Sequence, residues 1–366
     1  MNNNQGAFIE LIRGGLWEQN VLLSPFGKVD YEEVMHLAEE QSVVGLVSAG
    51  FEHVKDVKVP QDFLFQFIGS TLQIEKRNSE MNLFISELIK QLQKNGIYTL
   101  LIKGQGIAQC YERPNWRASG DVDLFLYNTN YNKAKNYLSH NATTLEEENK
   151  YLHLGMTVDG WPVELHGTLR SGSLKKMDAV IDEVQDETFK NGPVRAWRNN
   201  GVDIFLPEQN NDIVFVFTHI IKHFFHEGIG LRQICDWCRL MWTFRDSIDK
   251  DLLQKRISTM GLMTEWKAFA ALATLYLGMP AEAIPLYDSS NVWKKKADRL
   301  LLFILMTGNF GHNRDLSYYG NEPLIKRKTI SFIRHSNDAF KRLMIFPLDT
   351  FTVWRRMLVG GIKAII

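Results

Sequence analysis

Two aspartates one residue apart at the mouth of an apolar run constrain this chain most. In Arg117-Ala118-Ser119-Gly120-Asp121-Val122-Asp123-Leu124-Phe125-Leu126 the residues after Gly120 read as a strand. Strand side chains alternate, so Asp121 and Asp123 point to one face, roughly 7 Å apart along the chain. Two carboxylates aimed at one point make a poor core and a good cation site. Hard divalent cations such as Mg²⁺ take oxygen ligands, commonly one or two carboxylates plus substrate phosphates, so the pair points to phosphate chemistry.

The flanking segments extend the pattern. Ile97 to Ile102 is a short apolar run ending at Lys103-Gly104-Gln105-Gly106, which reads as a buried strand, a tight glycine turn and a helix, with a lysine placed to reach a phosphate. Tyr151 to Val158 and Trp161 to Leu169 flank Asp159-Gly160, a dipeptide that favours a type I′ turn, so the two runs should pair as a hairpin. Its second arm carries Glu164 and His166, which share a face by parity. A third carboxylate beside Asp121 and Asp123 would complete a two-metal site or take a proton from an attacking hydroxyl.

These residues resemble a known family. Lys103-Gly104 after a strand, Arg117 ahead of Gly120-Asp121-Val122-Asp123, and Val163-Glu164-Leu165-His166 look like the signature of the bacterial uncharacterised nucleotidyltransferases. That group belongs with DNA polymerase β and the aminoglycoside nucleotidyltransferases. The resemblance implies a glycine motif at Gly104, metal binding by Asp121 and Asp123, and Glu164 as the third carboxylate. One departure is the turn itself: Gly104-Gln105-Gly106 lacks the side-chain hydroxyl that often meets the phosphates. The specific motifs lie in the middle of the chain only.

Of 366 residues, 45% are hydrophobic and 23% charged, and Lys plus Arg equals Asp plus Glu at 42 each. This suits two or three folded domains and gives no bulk electrostatic case for a nucleic-acid partner. Cys110, Cys235 and Cys238 are too few for a secreted disulfide framework, and no basic-then-apolar leader opens the chain, so a cytoplasmic bacterial-type enzyme is expected. Residues 1–92 read as helical: Asp30 and Glu33 form a capping-box pattern, Pro60 suits a helix start, and Phe63, Phe67, Leu83, Phe84, Leu88 and Leu92 mark a buried stripe ending at Asn95-Gly96. Glu146-Glu147-Glu148 reads as a solvated run. A further strand pair is expected about Asn200-Gly201.

From about Asn210 the pattern is helical again. His219 and His223 lie one turn apart, but with no third ligand in view they read as packed histidines. Cys235-Asp236-Trp237-Cys238 has redox or half-zinc spacing, yet sits within a helical pattern as two semi-buried thiols. Arg232 and Asp236 fall on one helix face as an i,i+4 ion pair, with phosphate contact by Arg232 as the functional alternative. Gly308 to Asp315 interrupts an apolar helix as a linking loop. Phe351 to Ile366 is apolar but too short to span a ~30 Å bilayer, and is expected to pack on the core or at a dimer contact rather than on a membrane surface.

The expected fold is α+β: a helical N-terminal region (1–92), a nucleotidyltransferase-like mixed sheet (93–206) and a helical C-terminal region (207–366). The expected function is Mg²⁺-dependent transfer of a nucleoside monophosphate from an NTP to an unidentified acceptor hydroxyl, releasing pyrophosphate. Asp121, Asp123 and Glu164 would hold two metal ions or, for Glu164, serve as base. Lys103, Gly104, Gly106, Arg117 and Gly120 would meet the nucleotide's phosphates, with His166 and Arg232 behind them. A catalytically silent binding protein of the same fold and a metal-dependent kinase are the alternatives.

Overall fold

The computed structural model describes residues 1–190, 192–309 and 324–363. Four helices open the chain: α1 (Asn3–Trp17), α2 (Tyr31–Glu40), α3 (Val44–Glu52) and α4 (Gln61–Lys94). Asp30 caps α2 by accepting from the backbone N–H groups of Glu32 and Glu33, whereas the Glu33 carboxylate turns away to Asn2 and Asn4. The stripe between Pro60 and Asn95 forms one continuous helix, and it buries Phe67, Met81, Ile85, Leu88 and Leu92. Leu83, expected in that stripe, is 58% exposed, because Met81 and Ile85 take the inward positions.

The middle of the chain runs β1 (Leu100–Ile102), α5 (Gly104–Ala108), β2 (Val122–Phe125), α6 (Thr129–Ser139), β3 (Ala142–Leu145), β4 (His153–Val158), β5 (Trp161–His166), α7 (Lys175–Lys190), β6 (Val194–Asn199) and β7 (Val202–Pro207). Five strands form a mixed sheet in the order β1-β2-β5-β4-β3, and β6 pairs with β7. The fold is α+β, as expected. Asp159 and Gly160 both have positive φ, the conformation a type I′ turn requires, and they join β4 to β5 in register. Strand β2 pairs parallel with β5 and antiparallel with β1. The strand β3 was not foreseen, since its four residues are half-buried or exposed and lack an apolar alternation. Glu148, read as solvated, pairs with Lys135 and accepts from the Tyr131 hydroxyl at 3.1 Å.

Alternation divides the sheet into two faces. Leu101, Val122, Leu124, Val163, Leu165, Leu154 and Met156 share a buried cluster with the second half of α4 and with α6. The opposite face bears Asp123, Glu164 and His166, and it looks toward α8 (Gln209–His226) and α9 (Leu231–Thr243). The chain then continues through α10 (Lys250–Met260), α11 (Met263–Leu275), α12 (Asn291–Thr307), α13 (Leu324–Leu343) and α14 (Pro347–Lys363).

The larger buried cluster joins the first helices to the last ones through the middle of the chain, with members from Ala7 to Phe67, from Leu100 to Val184 and from Ile213 to Val353. Polar ties reinforce it. Trp17 Nε1 donates to the Leu277 carbonyl at 2.5 Å, Arg239 Nη1 to that of Leu16 at 3.1 Å, and the Leu231 N–H to Gln41 Oε1 at 3.0 Å. Of the expected loop from Gly308 to Asp315, Asn309 joins Gln233 to Ser42 by hydrogen bonds of 2.7 and 2.8 Å, and residues 310–315 lie outside the described residues. The apolar tail forms most of α14, with 364–366 outside the description. No helix among the described residues is long and apolar enough to cross a membrane.

Candidate active site

Register brings the acids together. In the parallel pair β2 and β5, Asp123 stands opposite Glu164 and Phe125 opposite His166, while the turn through Gly120 places Asp121 just ahead of β2 on the same side. One carboxylate oxygen from each of Asp121, Asp123 and Glu164 lies within 4.8 Å of the others. An all-oxygen donor set of this kind fits a hard divalent cation. Asp123 is 3% exposed and Glu164 31%, so the trio runs from the floor of a cleft toward its mouth.

Charge around the trio is arranged in layers. Lys103 Nζ donates to Asp123 Oδ1 at 2.7 Å, and His166 Nε2 lies 2.7 Å from the same oxygen. Burial disfavours the Asp123 charge, but Lys103 and His166 hold its carboxyl below the usual range. Burial likewise opposes ionisation of Glu164, and hydrogen bonds from His153 and His166 overcome it, holding Glu164 well below the usual range. The negative charge of Asp123, with burial, pushes the Asp121 carboxyl up to about 6. Lys103 is desolvated, yet the nearby Asp123 and Glu164 raise it above an ordinary lysine. Its backbone is unusual too, at φ +54° and ψ −148°, a region that costs of the order of 1–3 kcal/mol for a residue with a Cβ.

The glycine turn divides its tasks. Gly104 has φ +39° and lies against the Asp121 carbonyl. Gly106 is packed, since a Cβ there would come within 2.9 Å of Leu206 Cδ2. Gln105 points away from the cleft and donates to Asn78 Oδ1 at 2.8 Å; Asn78 in turn donates to the carbonyls of Asn115 and Arg117. Gly120 lines the cleft beside Asp121.

The two arginines exchange their expected places. Asp236 is claimed by Arg117, whose Nε and Nη2 donate to its two oxygens at 2.9 and 2.6 Å, and by the Tyr111 hydroxyl at 2.8 Å. The expected i,i+4 pair of Arg232 with Asp236 is replaced by this bidentate contact, which together with the Tyr111 hydroxyl occupies both Asp236 oxygens and is the stronger geometry for a guanidinium on a carboxylate. Arg232 instead donates Nη1 to the Ala118 carbonyl at 2.8 Å, and its Nε has no partner among the described residues.

The cleft encloses about 1230 Å³ including its mouth, and its far wall is built by α8 and α9. His219, Lys222, His223 and Arg232 lie along that wall. Burial and the Lys103 charge lower both His219 and Lys222. His223 pairs with Glu227 at 2.8 Å. A second lobe of about 810 Å³ shares Lys103, His153, His166, His219 and Lys222 and adds Tyr151, Thr168 and Ser171. Cys235 and Cys238 are wholly buried rather than semi-buried, and burial pushes both thiols up, away from the thiolate that redox chemistry uses.

Sequence reasoning did not single out Lys222 or His153. Hairpin counting finds the second: His153 and His166 each stand six residues from Asp159-Gly160, and they face each other in the register.

A family profile described as "Uncharacterised nucleotidyltransferase" matches residues 27–278, more than half of the chain. No curated protein matches significantly. Among solved structures, an antigenic nucleotidyltransferase-like protein from Paracoccidioides brasiliensis matches at 14% identity and a TM-score of 0.34, covering 55% of this chain and 93% of its own.

Proposed function

This chain belongs to the uncharacterised nucleotidyltransferase family, and from that premise we propose that it moves a nucleoside monophosphate from an NTP to an acceptor hydroxyl in a divalent-metal-dependent reaction. The observation that carries the reading is the convergence of Asp121, Asp123 and Glu164 within 4.8 Å, across a cleft from Lys222 and Arg232. Asp121, Asp123 and Glu164 would hold Mg²⁺, as one ion or two. Bound there, the cation would neutralise phosphate oxygens and polarise the α-phosphorus.

The chain's own groups have separable tasks. Lys222 and Arg232 bind triphosphate charge from the far wall, the arrangement that phosphoryl chemistry uses to stabilise developing negative charge. Lys103 neutralises charge beside Asp123. Arg117 acts at one remove, since its guanidinium is spent on Asp236 and fixes the loop that delivers Asp121. Glu164, held low by two imidazoles, is a better ligand than base. The acceptor hydroxyl oxygen bonds to the α-phosphorus and gives up its proton to solvent water, as the bond from the α-phosphorus to the bridging oxygen breaks and pyrophosphate leaves with that oxygen.

The test is thermal unfolding with each NTP, with and without Mg²⁺, followed by label transfer. A nucleotide at a hundredfold its Kd should stabilise by ~2.7 kcal/mol, and Asp123→Asn should abolish the metal-dependent shift. Label arriving on an acceptor from α-labelled NTP supports nucleotidyl transfer. Label from γ-labelled NTP would identify a kinase instead. Metal-dependent binding without turnover would identify the silent relative, a reading that the Gly104-Gln105-Gly106 turn favours through its missing hydroxyl.

A further inference from the structure

The carboxylate trio supplies three of the five residues in the donor groups on this face of the sheet. His153 Nε2 lies 2.9 Å from Glu164 Oε2, and His166 Nε2 lies 3.4 Å from that same oxygen. The two rings are 4.8 Å apart, centroid to centroid, across the β4–β5 pair. Donor atoms of His153, Glu164 and His166 lie within 4.8 Å of one another, as do those of Asp121, Asp123 and Glu164. Glu164 belongs to both groups.

These two groups differ in chemistry. Three carboxylates suit Mg²⁺, an ion that prefers oxygen. Two imidazoles and a carboxylate suit a first-row transition ion, and the preference for nitrogen strengthens from Mn²⁺ toward Zn²⁺. Neither histidine is needed to bury Glu164, which is still 31% exposed and open to water. Yet His153 aims Nε2 at Glu164 Oε2, and His166 Nε2, hydrogen-bonded to Asp123 Oδ1 at 2.7 Å, also comes within 3.4 Å of that oxygen, on neighbouring strands whose register fixes them there. Three ligands leave the remaining positions of such an ion open toward the cleft, where all three residues lie.

We propose that His153, His166 and Glu164 form a binding position for a divalent transition ion, with Mn²⁺ as its spectroscopic probe, next to the all-oxygen position and sharing Glu164 with it. The inference deepens the reading above and rests on it only through that shared residue. It makes the site selective for Mn²⁺ over Mg²⁺, a preference that a carboxylate trio alone does not create.

The experiment titrates Mn²⁺ and Mg²⁺ into the full-length metal-free protein by calorimetry and records the electron spin echo of the Mn²⁺ form. The expected result is Mn²⁺ bound at least tenfold more tightly than Mg²⁺, with ¹⁴N modulation of the echo from coordinated imidazole. His153→Gln should lose that tenfold advantage and part of the modulation while holding Mg²⁺ within twofold. His166→Gln should also lose the tenfold advantage, and because His166 is buried and hydrogen-bonded to Asp123, its Mg²⁺ affinity should fall as well, so His153→Gln and the wild-type echo decide the matter. Mn²⁺ bound without nitrogen modulation, and unmoved by His153→Gln, overturns the proposal and leaves the carboxylate site standing. Mn²⁺ bound with modulation in a protein whose Asp121→Asn and Asp123→Asn variants bind NTP normally overturns the nucleotidyltransferase reading and leaves the imidazole site standing.

Discussion

Arg117 and Arg232 carry the same charge and should fail in opposite ways. Arg117 sits in a buried bidentate pair, and removing one partner of such a pair strands the other charge. Arg117→Ala should therefore cost roughly 3–5 kcal/mol of unfolding free energy, measured by denaturant titration. Arg232→Gln should change stability by less than about 1 kcal/mol yet weaken NTP binding, measured by calorimetry in Mg²⁺. Equal losses of stability in both variants would sink the division of labour. At this scale the sequence brought together several residues of the candidate site and misassigned some of their partners. Parity alone was enough to join Asp121 to Asp123 and Glu164 to His166. Which arginine Asp236 would choose depends on Arg117 arriving from 119 residues away, and no local spacing encodes that.

Single elements are held by contacts that sequence patterns describe unevenly. The hairpin of β4 and β5 was legible because Asp159-Gly160 fixes both turn and register, whereas β3 has no signature apart from its partner. Helices α1 and α3 cross backbone to backbone: a Cβ on Gly15 would come within 1.9 Å of the Leu46 carbonyl, and one on Gly50 within 2.1 Å of that of Leu11. Alanine gains about 1 kcal/mol of helix propensity over glycine, but overpacking against rigid backbone costs roughly 3 kcal/mol. Gly15→Ala should thus lower stability by about 2 kcal/mol net, and a stabilised variant would show that the crossing can widen. At α11, burial and the adjacent Asp349 of α14 push the Glu265 carboxyl up to about 9. A carboxyl raised on folding favours the fold while protonated, so stability should be full below about pH 4.5 and fall as pH rises toward 9. The loss should reach roughly 3 kcal/mol by pH 7, and Glu265→Gln should flatten that slope in denaturant titrations at pH 5, 7 and 9.

Across the whole molecule, helicity at both ends was readable from apolar periodicity, but the partnership between the ends was not, because long-range packing leaves no local pattern. The three spans expected from the sequence, 1–92, 93–206 and 207–366, meet in a structure whose largest buried cluster draws on the first and the last together. We propose that these spans unfold as one. The full chain should show a single transition by fluorescence and by circular dichroism, and an isolated 93–206 fragment should lack fixed tertiary structure; a fragment with a sharp melt of its own would refute this. The shared core also imposes an order in time. The carboxylates leave the ribosome well before α8 and α9, the wall that faces them, and the part of the first helices that packs on the last ones waits for partners that begin near Ile213. At typical synthesis rates that interval is on the order of ten seconds, so the nascent chain displays groups such as Trp17, whose ring later meets Trp242, to whatever chaperone is at hand. Its cleft is walled only once α8 and α9 have been made.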